Sequence, residues 1–134
     1  MRYRDWTTQL HDTIKAAHER PFSWGEFDCC LFAADCCIAI CGVDPAASYR
    51  GRYTTEVGAK RVLRNTHGSL EGAWDACFKR VPLAMRQRGD VVLFDCERGR
   101  CVGVVWANAI WAVTDEGVHR VRAEPLICWS VGNE

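Results

Sequence analysis

The sequence predicts an α+β domain: N-terminal helices, one of them a buried central helix, packed on a C-terminal antiparallel sheet. Three observations carry this. Apolar residues recur at helical spacing near the start of the chain, and a nearly all-apolar stretch, Cys29 to Cys41, follows a residue suited to begin a helix. From Arg88 onward the pattern changes to short β-type runs separated by turn-forming residues. Helices first and strands second is the order of an α+β architecture.

Between Arg4 and Glu19 the residues Trp6, Leu10, Ile14 and Ala17 fall every three or four positions, the period of an amphipathic helix, and Pro21 ends it. The segment Pro21 to Phe27 is aromatic and turn-forming. Asp28 then stands where a side-chain oxygen can accept from the free amides of a helix spanning Cys29 to Cys41. Cys30, Ala33, Ala34, Cys37, Ile38 and Cys41 share one side of that helix, and Leu31, Phe32 and Ile40 make it apolar nearly all round, which predicts burial. Gly42 supplies a left-handed stop.

Val43 to Tyr53 reads as a loop. Thr54 or Thr55 caps a third helix to about Arg64, and Ser69 caps a short fourth one reaching Trp74 to Phe78. Strands are predicted at Asp90–Phe94, Cys101–Trp106, Ala109–Val113, Val118–Val121 and Ile127–Val131.

A chain of 134 residues suits one domain, residues 1–134, because this length buries roughly two thirds of its unfolded surface around one core. Basic and acidic residues balance at 17 each, so no net field draws the chain to nucleic acid or anionic lipid. No apolar run approaches the roughly 18 residues that a membrane span requires, so no membrane insertion is expected. Nine cysteines in so short a chain are many, and five of them lie in the Cys29–Cys41 helix rather than across loops as in disulfide scaffolds. Synthesis in a reducing cytoplasm is the expectation that follows.

The chemistry concentrates at Trp24-Gly25-Glu26-Phe27-Asp28-Cys29. A thiol in the first turn of a buried helix meets unpaired amides and the positive end of the helix dipole, which favour thiolate. Cys29 is therefore the candidate nucleophile, and the alternative is a small buried side chain with no chemistry. A nucleophilic cysteine also needs a base, ordinarily a histidine oriented by a third polar group. Thiols also bind zinc and iron–sulfur clusters, yet the chain contains no Cys-x-x-Cys pair, so no resident metal or cofactor is expected. Trp24, Trp106, Trp111 and Trp129 either line a groove or fill the core. Arg50, Arg52, Tyr49 and Tyr53 are residue types enriched at contacts, and their loop is the expected docking surface.

Trp-Gly, then Asp-Cys opening a helix, then Gly89-Asp90-Val91-Val92-Leu93-Phe94 and Val102-Gly103-Val104-Val105 resemble the NlpC-type papain-fold peptidases, which cleave peptidoglycan stem peptides. More closely, Pro21 to Gly25, Phe27 to Asp35, Arg50 to Thr54, Arg88 to Val92 and Cys128 to Gly132 are similar to a small uncharacterised family encoded beside tail-tip genes in tailed phages and prophages. That resemblance implies a virion component of the tail tip or baseplate, made in the host cytoplasm, with other tail-tip proteins and peptidoglycan as partners. It carries Cys29 over as nucleophile with Asp28 beside it.

Active members open the second strand with His-Val-Gly, whereas this chain has Cys101-Val102-Gly103. A thiol cannot replace an imidazole as a base of neutral strength. The third polar partner should lie around Ala109 to Ala112, where the residues are apolar and Asn108 stands at the start. His119 is the substitute base to consider, one strand later than expected. The resemblance thus implies a structural or assembly role with a degenerate peptidase site; the alternatives are a hydrolase using Cys29 with His119 or another group as base, and a tail-tip protein whose thiols bind a metal or an iron–sulfur cluster.

Overall fold

The computed structural model describes residues 1–132 and has four α-helices before a six-stranded antiparallel sheet. The helices are α1 (Trp6–Ala17), α2 (Cys29–Cys41), α3 (Glu56–Thr66) and α4 (Leu70–Asp75). The strands are β1 (Lys79–Val81), β2 (Val91–Cys96), β3 (Gly99–Trp106), β4 (Ala109–Thr114), β5 (Gly117–Val121) and β6 (Ile127–Ser130), in the order β1-β6-β2-β3-β4-β5. Consecutive strands β2 to β5 form a meander of hairpins, and β6 returns to the free edge of β2. The α+β class is as the sequence predicts. β1 and a short 3₁₀ turn at Leu83–Met85 are additions to the predicted elements.

Both ends of α2 are fixed by the residues that announce them. The Asp28 side chain accepts from the Leu31 amide, and Gly42 takes φ +79° while its own N–H donates to the Ile38 carbonyl. A side chain is disfavoured at Gly42 twice over, since a Cβ there would come within 2.2 Å of the Tyr3 hydroxyl. Thr55 and Ser69 cap α3 and α4 in the same way, through Gly58 and Gly72.

α2 packs on β3 and β4 and is flanked by α1, so it lies at the centre of the core. Leu31, Phe32 and Ile40 are inaccessible to solvent, each contributing about 2 kcal/mol through burial. On the sheet, Val91, Leu93, Val102, Val104, Val113, Val118 and Trp129 meet this cluster. They occupy one face, as the two-residue alternation of strands requires. Ile38 departs from its expected side and is 38 % exposed, lining a surface concavity with Gln9, Thr13 and Ala16 of α1.

The chain ends are clasped by Arg2. Its guanidinium donates to the carbonyls of Val131 and Arg88 and to the Asp90 carboxylate, the last at 2.9 Å. Asp90 is 2 % exposed and also accepts from the Gln87 and Val131 amides. Burial holds its carboxyl above the usual range, while the Gln87 and Val131 amides and the Arg2 charge pull it down.

Arg2→Met should lower the free energy of unfolding by about 3 kcal/mol, because it leaves Asp90 buried without its cation. Urea titration beside exposed Arg4→Met, expected to lie within about 0.5 kcal/mol of the parent, checks this. Equal small losses from both changes would mean that the clasp is dispensable.

Candidate active site

Asp28 builds the site. Its residue is 1 % exposed, and its two oxygens serve three segments. Oδ1 caps α2 through the Leu31 amide at 3.0 Å. Oδ2 accepts from the Gly25 amide at 3.1 Å and from the Tyr53 hydroxyl at 2.6 Å. The Trp24-Gly25 turn, the start of α2 and the end of the long loop therefore meet on one carboxylate. Gly25 is required there, since at φ +84° a Cβ would lie 1.9 Å from the Tyr53 carbonyl oxygen. Its own carbonyl accepts from the Gly51 amide at 2.9 Å.

Cys29 follows as the first residue of α2, and its position against the sheet depends on a break in the ladder. β3 and β4 pair only from Val104–Trp111 to Trp106–Ala109, although both strands run further. Where they part, the backbone N–H groups of Val102 and Cys30 come near enough to Cys29 Sγ to favour its charged form. N–H dipoles close to a sulfur favour an anion there. Burial outweighs it. Although Cys29 keeps some solvent contact, desolvation first and the adjacent Asp28 carboxylate second push its thiol up to about 11. The two amides and Arg98 act in the opposite sense without prevailing. Cys30 is buried deeper and is raised further for the same reason.

Cys29 opens into a cleft of about 330 Å³ walled by Phe22, Trp24 and Tyr53 on one side and by the β2–β3 and β4–β5 turns on the other, with Glu56 and Lys60 of α3 at its rim. Phe22 and Trp24 meet edge to face at 4.9 Å, and the Arg98 guanidinium lies 5.3 Å from each ring. Arg98 also pairs with Asp115, so it bridges the two turns over the mouth. Arg98 is the residue that sequence reading missed. It stood in a turn segment, and only the fold shows that this turn reaches the aromatic pair.

Cys101 is bonded to Cys96 in a disulfide across the β2–β3 hairpin, with Cα atoms 6.4 Å apart. The other seven cysteines are free. His119 is not brought to Cys29. It pairs with Ala112 on β5, whereas the adjacent Val113–Val118 pair faces α2, so its ring projects from the opposite face of the sheet. One ring nitrogen is bonded to the Gly117 carbonyl. Among the described residues, no three histidine, cysteine, aspartate or glutamate side chains gather as a metal-binding group.

The expected binding residues divide. Trp24 and Tyr53 line the cleft, the latter buried and with its phenol raised by burial and by Asp28. Arg50 is committed within the fold, 2.9 Å from both Asp35 and Asp44, and Tyr49 is fully buried against His67. Of that loop's four contact candidates only Arg52 is exposed, because the loop folds inward onto Asp28 and Asp44. Trp111 lies apart from the cleft, donating to the Trp106 carbonyl and packing on His18. Trp129 is core and Trp106 packs on Trp6.

Tyr53→Phe should cost about 1 kcal/mol by removing one bond to a buried carboxylate, and Asp28→Ala about 3 kcal/mol by removing the cap and orphaning both remaining donors. Thermal unfolding of both variants checks the order. A larger loss from Tyr53→Phe would contradict the role given to Asp28.

No curated protein matches the chain. Residues 1–131, which contain the whole cleft and the Arg2 clasp, match the family model described as a domain of unknown function, DUF6950. Since that match spans almost the entire sequence, the chain belongs to the DUF6950 family.

Proposed function

We propose that this chain is a tail-tip or baseplate component of a bacteriophage, an NlpC-like domain that works in assembly and whose peptidase site is degenerate. The virion placement is supported by the sequence resemblance spread from Pro21 to Gly132. The loss of catalysis is supported by one observation above others: among the described residues no histidine lines the cleft in front of Cys29. The position of the expected histidine holds a disulfide-bonded sulfur, and His119 projects from the far face of the sheet. Burial and the adjacent Asp28 carboxylate push the Cys29 thiol up to about 11, away from the thiolate that a nucleophile needs.

The second reading is a cysteine hydrolase that opens peptidoglycan during DNA entry. It is favoured by the two amides near Cys29 Sγ and by the aromatic cleft in front of it. Such an enzyme would need its base from a substrate or a partner protein.

Alkylation of Cys29 by iodoacetamide, followed site by site with mass spectrometry, separates the two. The assembly reading expects a rate that is slow at pH 7 and still climbing above pH 10, because raising pH creates the thiolate that burial suppresses. A midpoint well under the ordinary thiol value near 8.5 would favour the hydrolase. In phage, Cys29→Ser should restore particle assembly to a gene-deletion mutant, and purified protein should release no stem peptide from sacculi. Loss of infectivity in Cys29→Ser particles that assemble normally would overturn the assembly reading.

A further inference from the structure

A second concavity, of about 730 Å³, lies away from the Cys29 cleft, between the β3–β4 turn and the segments flanking β2 and β6. Three arginines converge on it, Arg86, Arg88 and Arg122, and all three are exposed. None has a carboxylate partner among the described residues. Arg86 donates to the Leu83 carbonyl, Arg88 lies 5.4 Å from the Trp6 ring, and Arg122 makes neither contact. No acidic residue lines the basin, although Glu124 belongs to the same segment as Arg122. Elsewhere Arg2, Arg20, Arg50, Arg80, Arg98 and Arg100 each pair with an aspartate, whereas these three gather in one concavity without one. In a chain with no net charge, this is a local excess of positive potential.

The floor between the arginines is apolar, made by Val105, Ile110, Val121 and Pro125. Guanidinium groups match carboxylates in planar, two-pronged geometry. We infer that this basin docks an acidic segment of a partner protein, with glutamates or aspartates on the three arginines and an apolar side chain on the floor. Nucleic acid fits less well, since it calls for a long basic track rather than three charges around an apolar floor. The inference does not rest on the assembly reading, because the basin shares no residue with the Cys29 cleft.

The test uses the full chain and a fluorescein-labelled octapeptide of glutamates interrupted by one leucine and one phenylalanine, titrated by fluorescence anisotropy at low salt. Saturable binding is expected, weakening as salt rises because the Debye length shortens to about 10 Å at 0.1 M. Arg122→Glu should weaken it at least about tenfold, whereas Lys15→Glu, an equal charge change on exposed α1, should shift it less than about twofold. Circular dichroism of Arg122→Glu should match the parent. Absence of saturable binding, equal effects of the two variants, or tighter binding of a short thymidine oligonucleotide at the same salt would each overturn the proposal.

Discussion

The cleft exists because one buried carboxylate, Asp28, accepts from three segments that local preferences would not bring together. An aspartate before a helix ordinarily caps it with one oxygen and leaves the other to water. Here the second oxygen is enclosed, and its donors are a glycine amide on one side and a tyrosine hydroxyl on the other. A buried acceptor left unsatisfied is costly, so the turn, the helix start and the loop end are mutually dependent. The position of Cys29 follows from that arrangement and not from anything its own side chain does.

The same enclosure explains the chemistry. Placing a thiol at a helix start beside free amides lowers its proton affinity, and placing it next to a carboxylate in a poorly hydrated site raises it. Both are present at Cys29, and burial is the largest influence. A working cysteine nucleophile resolves this contest with a neighbouring cation from its base. The nearest cation here, Arg98, is engaged with two rings and Asp115. Burial and the Asp28 carboxylate therefore prevail, and they hold the proton on Cys29.

Much of this was legible in the sequence where a local signal and the fold agree. Asp28 and Gly42 mark the ends of α2 because a cap and a left-handed stop are properties of single residues. The meander strands were visible through their β-branched runs. β1 was not, since Lys79-Arg80-Val81 has no alternation and is a strand only because β6 pairs with it. Arg50 looked like a contact residue because composition says nothing about Asp35 and Asp44 waiting beside it. The Cys96–Cys101 spacing across a turn could be read, but its bond depends on the hairpin register, in which Cys101 lies opposite Phe94 and Cys96 opposite Gly99.

The Arg2 clasp has a mechanical consequence. Residue 2 is bonded to the carbonyl of residue 131 and, through Asp90, to the first turn of the central hairpin. A tension applied between those two points does not load the sheet in shear along its ladders. It is concentrated first on a single guanidinium, which opens by peeling, one bond at a time. Behind that hook stands a second hold, the Tyr3 amide on the Ile40 carbonyl at 2.8 Å, which passes the load to the central helix.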